Sequence, residues 1–352
     1  MGIFSKNQFP VDGKTILITG GSEGMGLSVA KQLAAKGANI AIVARRKDKL
    51  EEALVQIKVR ISPTPTRAFL TSGLCSDAHH VQAAARNPDR QRFHYVVADV
   101  AIPDYSKTVL ANVRVWNNNS SPDIVWCIAG VSTPGLWIEQ DLADTKRQMD
   151  INFYGQAEMA HSILREWTSS ENPADCNPAS DAKHVILTAS VVAFCSIVGY
   201  GSYAPSKFAI RGLADALAQE LMLYPQNIKV HVVYPGTILS PGLERENEVK
   251  PEVTHLLEAS DPKQTPDQVA AKSIQGLEHG DFFVTVAFLG SLMRWGMLGG
   301  SLRNSWLIDT IMAMLVPIIW IFVQADLTGT VKKYAKKHGH PRYWETKTGP
   351  KN

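Results

Sequence analysis

Tyr203 and Lys207 stand four residues apart in SYAPSKFAIRGLADALAQEL, residues 202–221. On a helix, positions i and i+4 share a face, so a phenol and an ammonium at this spacing can meet one reacting centre. A free tyrosine has a pKa of about 10, and a nearby cation lowers it, making the phenol a better proton donor near neutral pH. The spacing alone is not specific, because Tyr343 and Lys347 in YWETK repeat it inside a polar tail. Context separates the two pairs. Ser190 ends the apolar run HVILTAS thirteen residues before Tyr203, so a strand end and a helix start can converge on one crevice, where open α/β sheets hold ligands. Asn152 is a further polar group, set in the helical stretch DTKRQMDINFYGQAEMAHSIL. An Asn in that setting is more often a structural hydrogen-bonder than a catalyst.

The elements that must position these groups alternate along the chain. TILIT (15–19), NIAIVA (39–44), FHYVVAD (93–99), DIVWCIA (123–129), HVILTA (184–189) and KVHVVYP (229–235) are short, apolar and β-branched. Such runs fit strands covered on both faces. Helical patterns follow at about Leu27–Lys36 and at 47–60. Strands alternating with helices predict an α/β fold with a parallel, doubly wound sheet. Residues 61–92 and 169–182 are rich in polar residues and proline and are expected to be surface insertions. No internal repeat is present.

A second chemical signal follows the first strand. In TGGSEGMG (19–26), Gly20, Gly24 and Gly26 form a G-x-x-x-G-x-G turn that carries Ser22 between its glycines. Glycine permits a tight turn and close backbone approach to a pyrophosphate, and the following helix N-terminus offers free N–H groups to phosphate. The second predicted strand ends in VARRKD. NAD enzymes place an acid there for the ribose 2′-hydroxyl, whereas Arg accommodates the 2′-phosphate of NADP. Arg45 and Arg46 occupy that point, with no acid before Asp48. The expected cofactor is therefore NADPH.

Composition bounds the alternatives. The chain has 352 residues, 45% hydrophobic and 20% charged, with a net charge of +3. There is no basic stripe interleaved with aromatics, which argues against a nucleic-acid partner. Cys75, Cys127, Cys176 and Cys195 lack C-x-x-C or metal-ligand spacing, so no metal is expected. Cys127 sits in an apolar run and reads as a small core hydrophobe. The opening MGIFSKNQFPVDGK has no apolar signal-peptide region, and Lys6 stands where a myristoylation motif wants Ser or Thr.

Taken in order and spacing, TGGSEGMG, CIAG (127–130), INFYG, Ser190, YAPSK and YPGT (234–237) resemble the short-chain dehydrogenase/reductase superfamily over about residues 12–290. The resemblance implies a Rossmann fold in which Tyr203 is the general acid. It implies that Lys207 lowers the Tyr203 pKa and holds the nicotinamide ribose, that Ser190 bonds the substrate oxygen, and that Asn152 supports a proton-relay water. It places Asp99 and Val100 at the adenine, Ala129 and Gly130 near the cofactor ribose, and Pro235, Gly236 and Thr237 at the nicotinamide. CIAG departs from the common NNAG, so the strand-supporting bonds usually made by those two Asn side chains need another source.

Within the superfamily, PGLERENEVKPEVTHLLE (241–258), with Glu246-Asn247, Lys250-Pro251 and Thr254, is similar to the 3-ketodihydrosphingosine reductases. So are the GGSEGMG turn and the hydrophobic C-terminal extension. That similarity implies reduction of a long-chain sphingoid ketone, 3-dehydrosphinganine, to sphinganine. Two other readings stay open: a lipid-active reductase of 3-ketoacyl-CoA or a steroid ketone, and a non-catalytic NADP-binding scaffold. A homo-oligomer is possible on this reading.

The C-terminal region fits a lipid substrate. Of residues 306–325, WLIDTIMAMLVPIIWIFVQA, sixteen of twenty are apolar, enough for a helix of roughly 30 Å, about the thickness of a bilayer core. Residues 287–302 contain Arg294 and four glycines and read as interfacial. Asp309 near one end is expected to reach headgroups, and Pro317 to kink the helix. The basic cluster KKYAKK (332–337) suits an anionic cytosolic leaflet. The expected organisation is a lead at 1–11, a Rossmann domain at 12–286, a membrane-associated segment at 287–325 and a basic tail at 326–352. Both ends of the apolar helix are expected on the cytosolic side of the endoplasmic reticulum membrane, the helix either entering and returning or lying in one leaflet.

Overall fold

The computed structural model describes residues 7–58, 86–87, 90–169, 181–341 and 344. Most of the expected insertions at 61–92 and 169–182, and both members of the Tyr343/Lys347 pair, lie outside the described residues.

A seven-stranded, wholly parallel sheet organises the chain. In sequence order its first strands and helices are β1 (Thr15–Thr19), α1 (Gly24–Ala35), β2 (Asn39–Ala44), α2 (Lys47–Lys58), β3 (Phe93–Val97), α3 (Tyr105–Trp116) and β4 (Ile124–Cys127). A long helical segment follows as α4 (Leu142–Met149), a single π-helical turn (Asp150–Tyr154) and α5 (Gly155–Thr168). Then come β5 (Lys183–Thr188), α6 (Ala204–Glu220) and β6 (Ile228–Tyr234). The strand order is β3-β2-β1-β4-β5-β6, with a seventh strand, described below, at the β6 edge. All five residues of TILIT are buried, because α1, α2 and a later helix at Pro266–His279 cover one face of the sheet and α3, α5 and α6 the other. Pairing Leu17 with Ala41 on one side and Val125 on the other centres β1. Strand order reverses direction there, and the crevice outside the strand C-termini at that point is where such sheets take ligands.

After β6 the chain forms a small second sheet and a cap. β7 (Thr237–Ile238) pairs with β8 (Lys263–Gln264), and between them lie α7 (Pro241–Val249) and α8 (Glu252–Leu257). Ser240 caps α7 through the Leu243 N–H, with Pro241 in its first turn, a combination that satisfies an orphan donor and presets the helix. α9 (Pro266–His279) begins with a reciprocal Thr265/Gln268 capping box and ends at Gly280, whose φ of +84° is the left-handed stop glycine tolerates. β9 (Phe283–Thr285) then joins the sheet edge beside β6. This strand was not expected from the sequence. At three residues it is too short for an alternation to register, and Phe283 and Val284 are buried on opposite faces.

Two helices complete the chain, α10 (Phe288–Gly296) and α11 (Trp306–His338). α11 is one continuous helix of 33 residues through Pro317, without the reversal that a re-entrant hairpin needs. It also crosses residue 325, where apolar segment and basic tail were expected to divide. At about 1.5 Å per residue its length is about 50 Å. Its most apolar stretch is only 11% buried. Ile311, Leu315, Ile318 and Phe322 are among its exposed side chains.

Asp309 does not reach outward as expected. It is 1% exposed and accepts both Arg294 Nη bonds at 2.8 and 2.7 Å, the Trp295 indole N–H at 2.7 Å and the Asn304 N–H at 2.8 Å. A buried carboxylate needs such compensation for its lost hydration. The helix touches the domain again further along. A Cβ on Gly296 would lie 3.3 Å from Val316, Gln324 contacts the Cys195 thiol at 3.9 Å, and Tyr334 donates to Glu252 of α8 at 3.0 Å.

Candidate active site

Every expected cofactor and substrate residue follows the C-terminal end of a sheet strand or faces that edge. Gly20 follows β1, Arg45 and Arg46 follow β2, Asp99 and Val100 follow β3, Ala129 and Gly130 follow β4, Ser190 follows β5, and Pro235 to Thr237 follow β6. Parallel register makes this convergence unavoidable, since all six strands end on one side of the sheet.

The glycine turn fits a phosphate-bearing cofactor. Gly20 has φ +74°, and a Cβ there would stand 2.7 Å from the Ala129 nitrogen. A Cβ on Gly26 would stand 2.1 Å from the Gly20 carbonyl, so α1 packs against the turn only because that position is bare. The residue before α1, Glu23, makes no side-chain cap, leaving first-turn N–H groups free for an anion. Ser22 is partly exposed in the same turn. Arg46 donates to Glu23 at 2.8 Å, and Arg45 lies 4.0 Å from Asp99; the two guanidinium side chains remain about half exposed, at 53% and 55%. Both can therefore turn to a 2′-phosphate, Arg46 by exchanging its Glu23 contact. Asp99 accepts from the Ala101 N–H at 3.0 Å, which turns the chain after β3.

Thr19 takes over the support that the shortened CIAG lacks. The Ile128 N–H donates to the Thr19 carbonyl at 3.1 Å, and the Thr19 Oγ1 lies 3.2 and 3.4 Å from the Ile128 and Ala129 nitrogens. Cys127 is a fully buried core residue, as expected, and burial pushes its thiol up to about 12.

Asn152 lies in the π turn and is 0% exposed. A single π turn inside an α-helix is uncommon and concentrates at functional sites. Its amide accepts from the Val131 N–H at 2.8 Å and donates to the Val131 carbonyl at 2.9 Å and to Ser206 Oγ at 3.1 Å. Both donor hydrogens are thus occupied by protein. Its backbone carbonyl accepts from Gln156 at 2.9 Å. In this arrangement Asn152 clamps the loop after β4 onto the start of α6.

Tyr203 and Lys207 lie at the first turn of α6, with Lys207 Nζ 5.6 Å from the Tyr203 ring centre. Ser190, after β5, accepts from the Val192 N–H at 3.4 Å, and its hydroxyl lies near enough to the Tyr203 phenol to favour the ionised form. Lys207 is 4% exposed and donates to the Thr188 carbonyl at 3.1 Å. That carbonyl also receives Gln156 at 3.0 Å, and the Thr188 hydroxyl receives the Trp126 indole at 3.3 Å. Burial without a carboxylate partner lowers the ammonium from 10.5 to about 7. The phenol, by contrast, moves up, by burial first and by the Glu246 charge second, with the Ser190 hydroxyl opposing. The expected lowering of Tyr203 is therefore not supplied by the protein's own groups. Dehydration outweighs the neighbouring lysine, which is itself inclined to be neutral.

A polar cluster beside Tyr203 includes two residues that the sequence did not single out, Tyr200 and Glu258. The rings of Tyr200 and Tyr203 are 5.8 Å apart. Lys250, its side chain 2% exposed, bridges Glu246 at 2.8 Å and Glu258 at 2.6 Å. Thr254 donates to the Val198 carbonyl at 2.9 Å, bolting α8 to the loop before Tyr203. The cap is thus built by buried polar contacts, and Lys250 and Thr254 have structural duties. The G-Y-G-S-Y run that holds Tyr200 was the available signal. A surface cavity of about 450 Å³ between α3 and α5 includes none of these residues.

Comparison with known proteins agrees with this geometry. The short chain dehydrogenase family profile matches residues 14–87 and 67–251. A 3-ketodihydrosphingosine reductase of Neurospora crassa is 49% identical over 97% of this chain and 88% of its own length. One from Aspergillus fumigatus is 39% identical over 96% of this chain and 89% of its own length. Among solved structures, a short-chain dehydrogenase from Sphingobium yanoikuyae in complex with NADPH superposes with a TM-score of 0.60 at 19% identity, covering 82% of this chain and 92% of that one. The chain belongs to the short-chain dehydrogenases, and with that family it is an oxidoreductase of the nicotinamide-dependent kind.

Proposed function

We propose that this short-chain dehydrogenase reduces the 3-keto group of 3-ketodihydrosphingosine to the secondary alcohol, dihydrosphingosine, at a membrane surface, with NADPH as cofactor. The observation that carries the reading is the buried Lys207, its Nζ 5.6 Å from the Tyr203 ring centre, at the strand edge that also ends in Ser190, in a chain whose relatives bear that activity in their names along nearly their whole length.

NADPH, when bound, would supply hydride chemistry for the ketone. The glycine turn and the free N–H groups of α1 would hold its pyrophosphate, and Arg45 and Arg46 its 2′-phosphate. Asp99 and Val100 would line the adenine. Ala129, Gly130 and Lys207 would meet the ribose, and Pro235, Gly236 and Thr237 the nicotinamide. Ser190 and Tyr203 would both offer hydroxyl groups to the negative charge that develops on the substrate oxygen. A phenol held above its ordinary pKa stays protonated, and so stays competent to give that proton to the emerging alkoxide. Lys207 in its charged form offsets the tyrosinate left behind. Asn152 acts as a positioning residue through Val131 and Ser206, and its place near a proton-relay water belongs to the same proposal.

The long apolar helix favours membrane association. Contacts at Asp309, Val316, Gln324 and Tyr334 tie it to the catalytic domain along its length. These support a helix lying in one leaflet, its free face in lipid, with KKYAKK and the catalytic domain on the same cytosolic side of the endoplasmic reticulum. NADPH consumption with 3-ketodihydrosphingosine in liposomes, run beside 3-ketoacyl-CoA and a steroid ketone, tests the substrate. Faster turnover of either rival would reassign it. Protease digestion of sealed microsomes tests the topology: both termini should be cut, and protection of the catalytic domain alone refutes the in-plane arrangement.

A further inference from the structure

The cluster beside Tyr203 is one cation short. Glu246 and Glu258 bring two carboxylates to the same place, answered by the single ammonium of Lys250. Tyr200 has one hydroxyl proton for both: its oxygen lies 2.7 Å from Glu246 Oε1 and 2.5 Å from Glu258 Oε1. Glu258 engages Tyr200 through Oε1 and Lys250 through Oε2. Glu246 receives Tyr200 and Lys250 on Oε1, and among the described residues no hydrogen-bond donor reaches its Oε2.

The free oxygen belongs to a carboxylate close enough to Tyr203 to bias its proton electrostatically. Glu246 is carried on α7 and reaches the reacting centre through Tyr200, whose ring lies 5.8 Å from that of Tyr203, and its side chain is 16% exposed. Two carboxylates sharing one ammonium leave a net negative charge next to a proton donor, which opposes the build-up of oxyanion there unless a cation accompanies the substrate. The substrate read above carries one: its C2 amine is bonded to the carbon adjoining the ketone, and an amine beside a carbonyl titrates at about 8.

We infer that Glu246 is a specificity-determining residue whose free carboxylate oxygen binds the ammonium at C2 of the substrate and so selects 2-amino-3-ketones over plain ketones. The inference rests on the proposed reading of the site. It adds that the cap distinguishes a sphingoid base from an uncharged long-chain ketone. Tyr200 and Lys250 hold Glu246 in place, and Glu258 completes that frame without a free oxygen of its own.

The test compares kcat/KM for 3-ketodihydrosphingosine with that for its analogue lacking the amine, in wild type, Glu246→Gln and Glu258→Gln. Glutamine keeps an acceptor for Tyr200 and removes the charge, so the cap keeps its frame. Wild type should prefer the aminoketone by roughly 10- to 100-fold, the range expected for a charged hydrogen bond. Glu246→Gln should lose most of that preference, chiefly through KM for the aminoketone, while still reducing the plain analogue. Glu258→Gln should lower both ketones by a similar factor. Equal losses on both ketones in Glu246→Gln, no loss, or selective loss only in Glu258→Gln would each overturn the assignment. If wild type reduces neither ketone, the substrate reading fails instead.

Discussion

Replacing Lys207 by Met should change how stability depends on pH. In the native protein the Lys207 ammonium is 4% exposed, bonded to one carbonyl at 3.1 Å, and titrates at about 7 instead of 10.5. Between those two values the unfolded chain binds a proton that the folded chain does not, so this group makes stability rise with pH across that window. From pH 7 to pH 9 it contributes about 2 kcal/mol, slightly less than two full units because the folded lysine is already half deprotonated at pH 7. Below pH 7 its contribution to the slope fades as the folded lysine also becomes charged. Cys127, raised to about 12, works the other way above its unfolded value of 9.0, but it is shared by both proteins and cancels in their difference. Thermal unfolding of ligand-free wild type and Lys207→Met in one detergent, at pH 7 and pH 9, reads the effect. The wild type should gain several degrees of Tm relative to the variant over that interval. Parallel pH curves would show that Lys207 is not dehydrated beside Tyr203, and the reasoning about the pair would fail with it.

Other outcomes are equally specific. Arg45→Ala with Arg46→Ala should raise KM for NADPH strongly while leaving KM for NADH nearly unchanged, measured by initial rates with each cofactor; equal effects on both would remove the arginines from 2′-phosphate recognition. Asp309→Ala strands Arg294, itself 5% exposed, and should cost about 3–5 kcal/mol, seen as a drop in Tm; Arg294→Met with Asp309→Leu should recover much of it. Gly26→Ala should abolish cofactor binding in a fluorescence titration, because its Cβ would sit 2.1 Å from the Gly20 carbonyl.

Much of this protein is legible before its coordinates. TILIT, NIAIVA and KVHVVYP are read as buried strands because successive apolar, β-branched residues have no exposed face to spare. Parallel order then fixes that Ser190, the glycine turn and YPGT end on one side. Three features escape such reading. β9 is too short to show a pattern. The Tyr203 shift depends on how much water reaches the phenol, which no spacing encodes. Asp309 looked like a headgroup contact because its partner, Arg294, lies fifteen residues back across a turn, and the Tyr200–Glu258 contact spans 58 residues. Long-range polar pairing is set by packing, so it enters only with the fold.

Turnover of 3-ketodihydrosphingosine by wild type and Tyr203→Phe, followed as NADPH oxidation in liposomes with cofactor binding measured on the same samples, addresses the proton donor directly. Tyr203→Phe should bind NADPH as the wild type does and lose about 10²- to 10⁴-fold in kcat, the range for a removed general acid. NADPH oxidation by the variant at the wild-type rate would mean that the proton comes from elsewhere and that Ser190, Tyr203 and Lys207 are not the reacting centre.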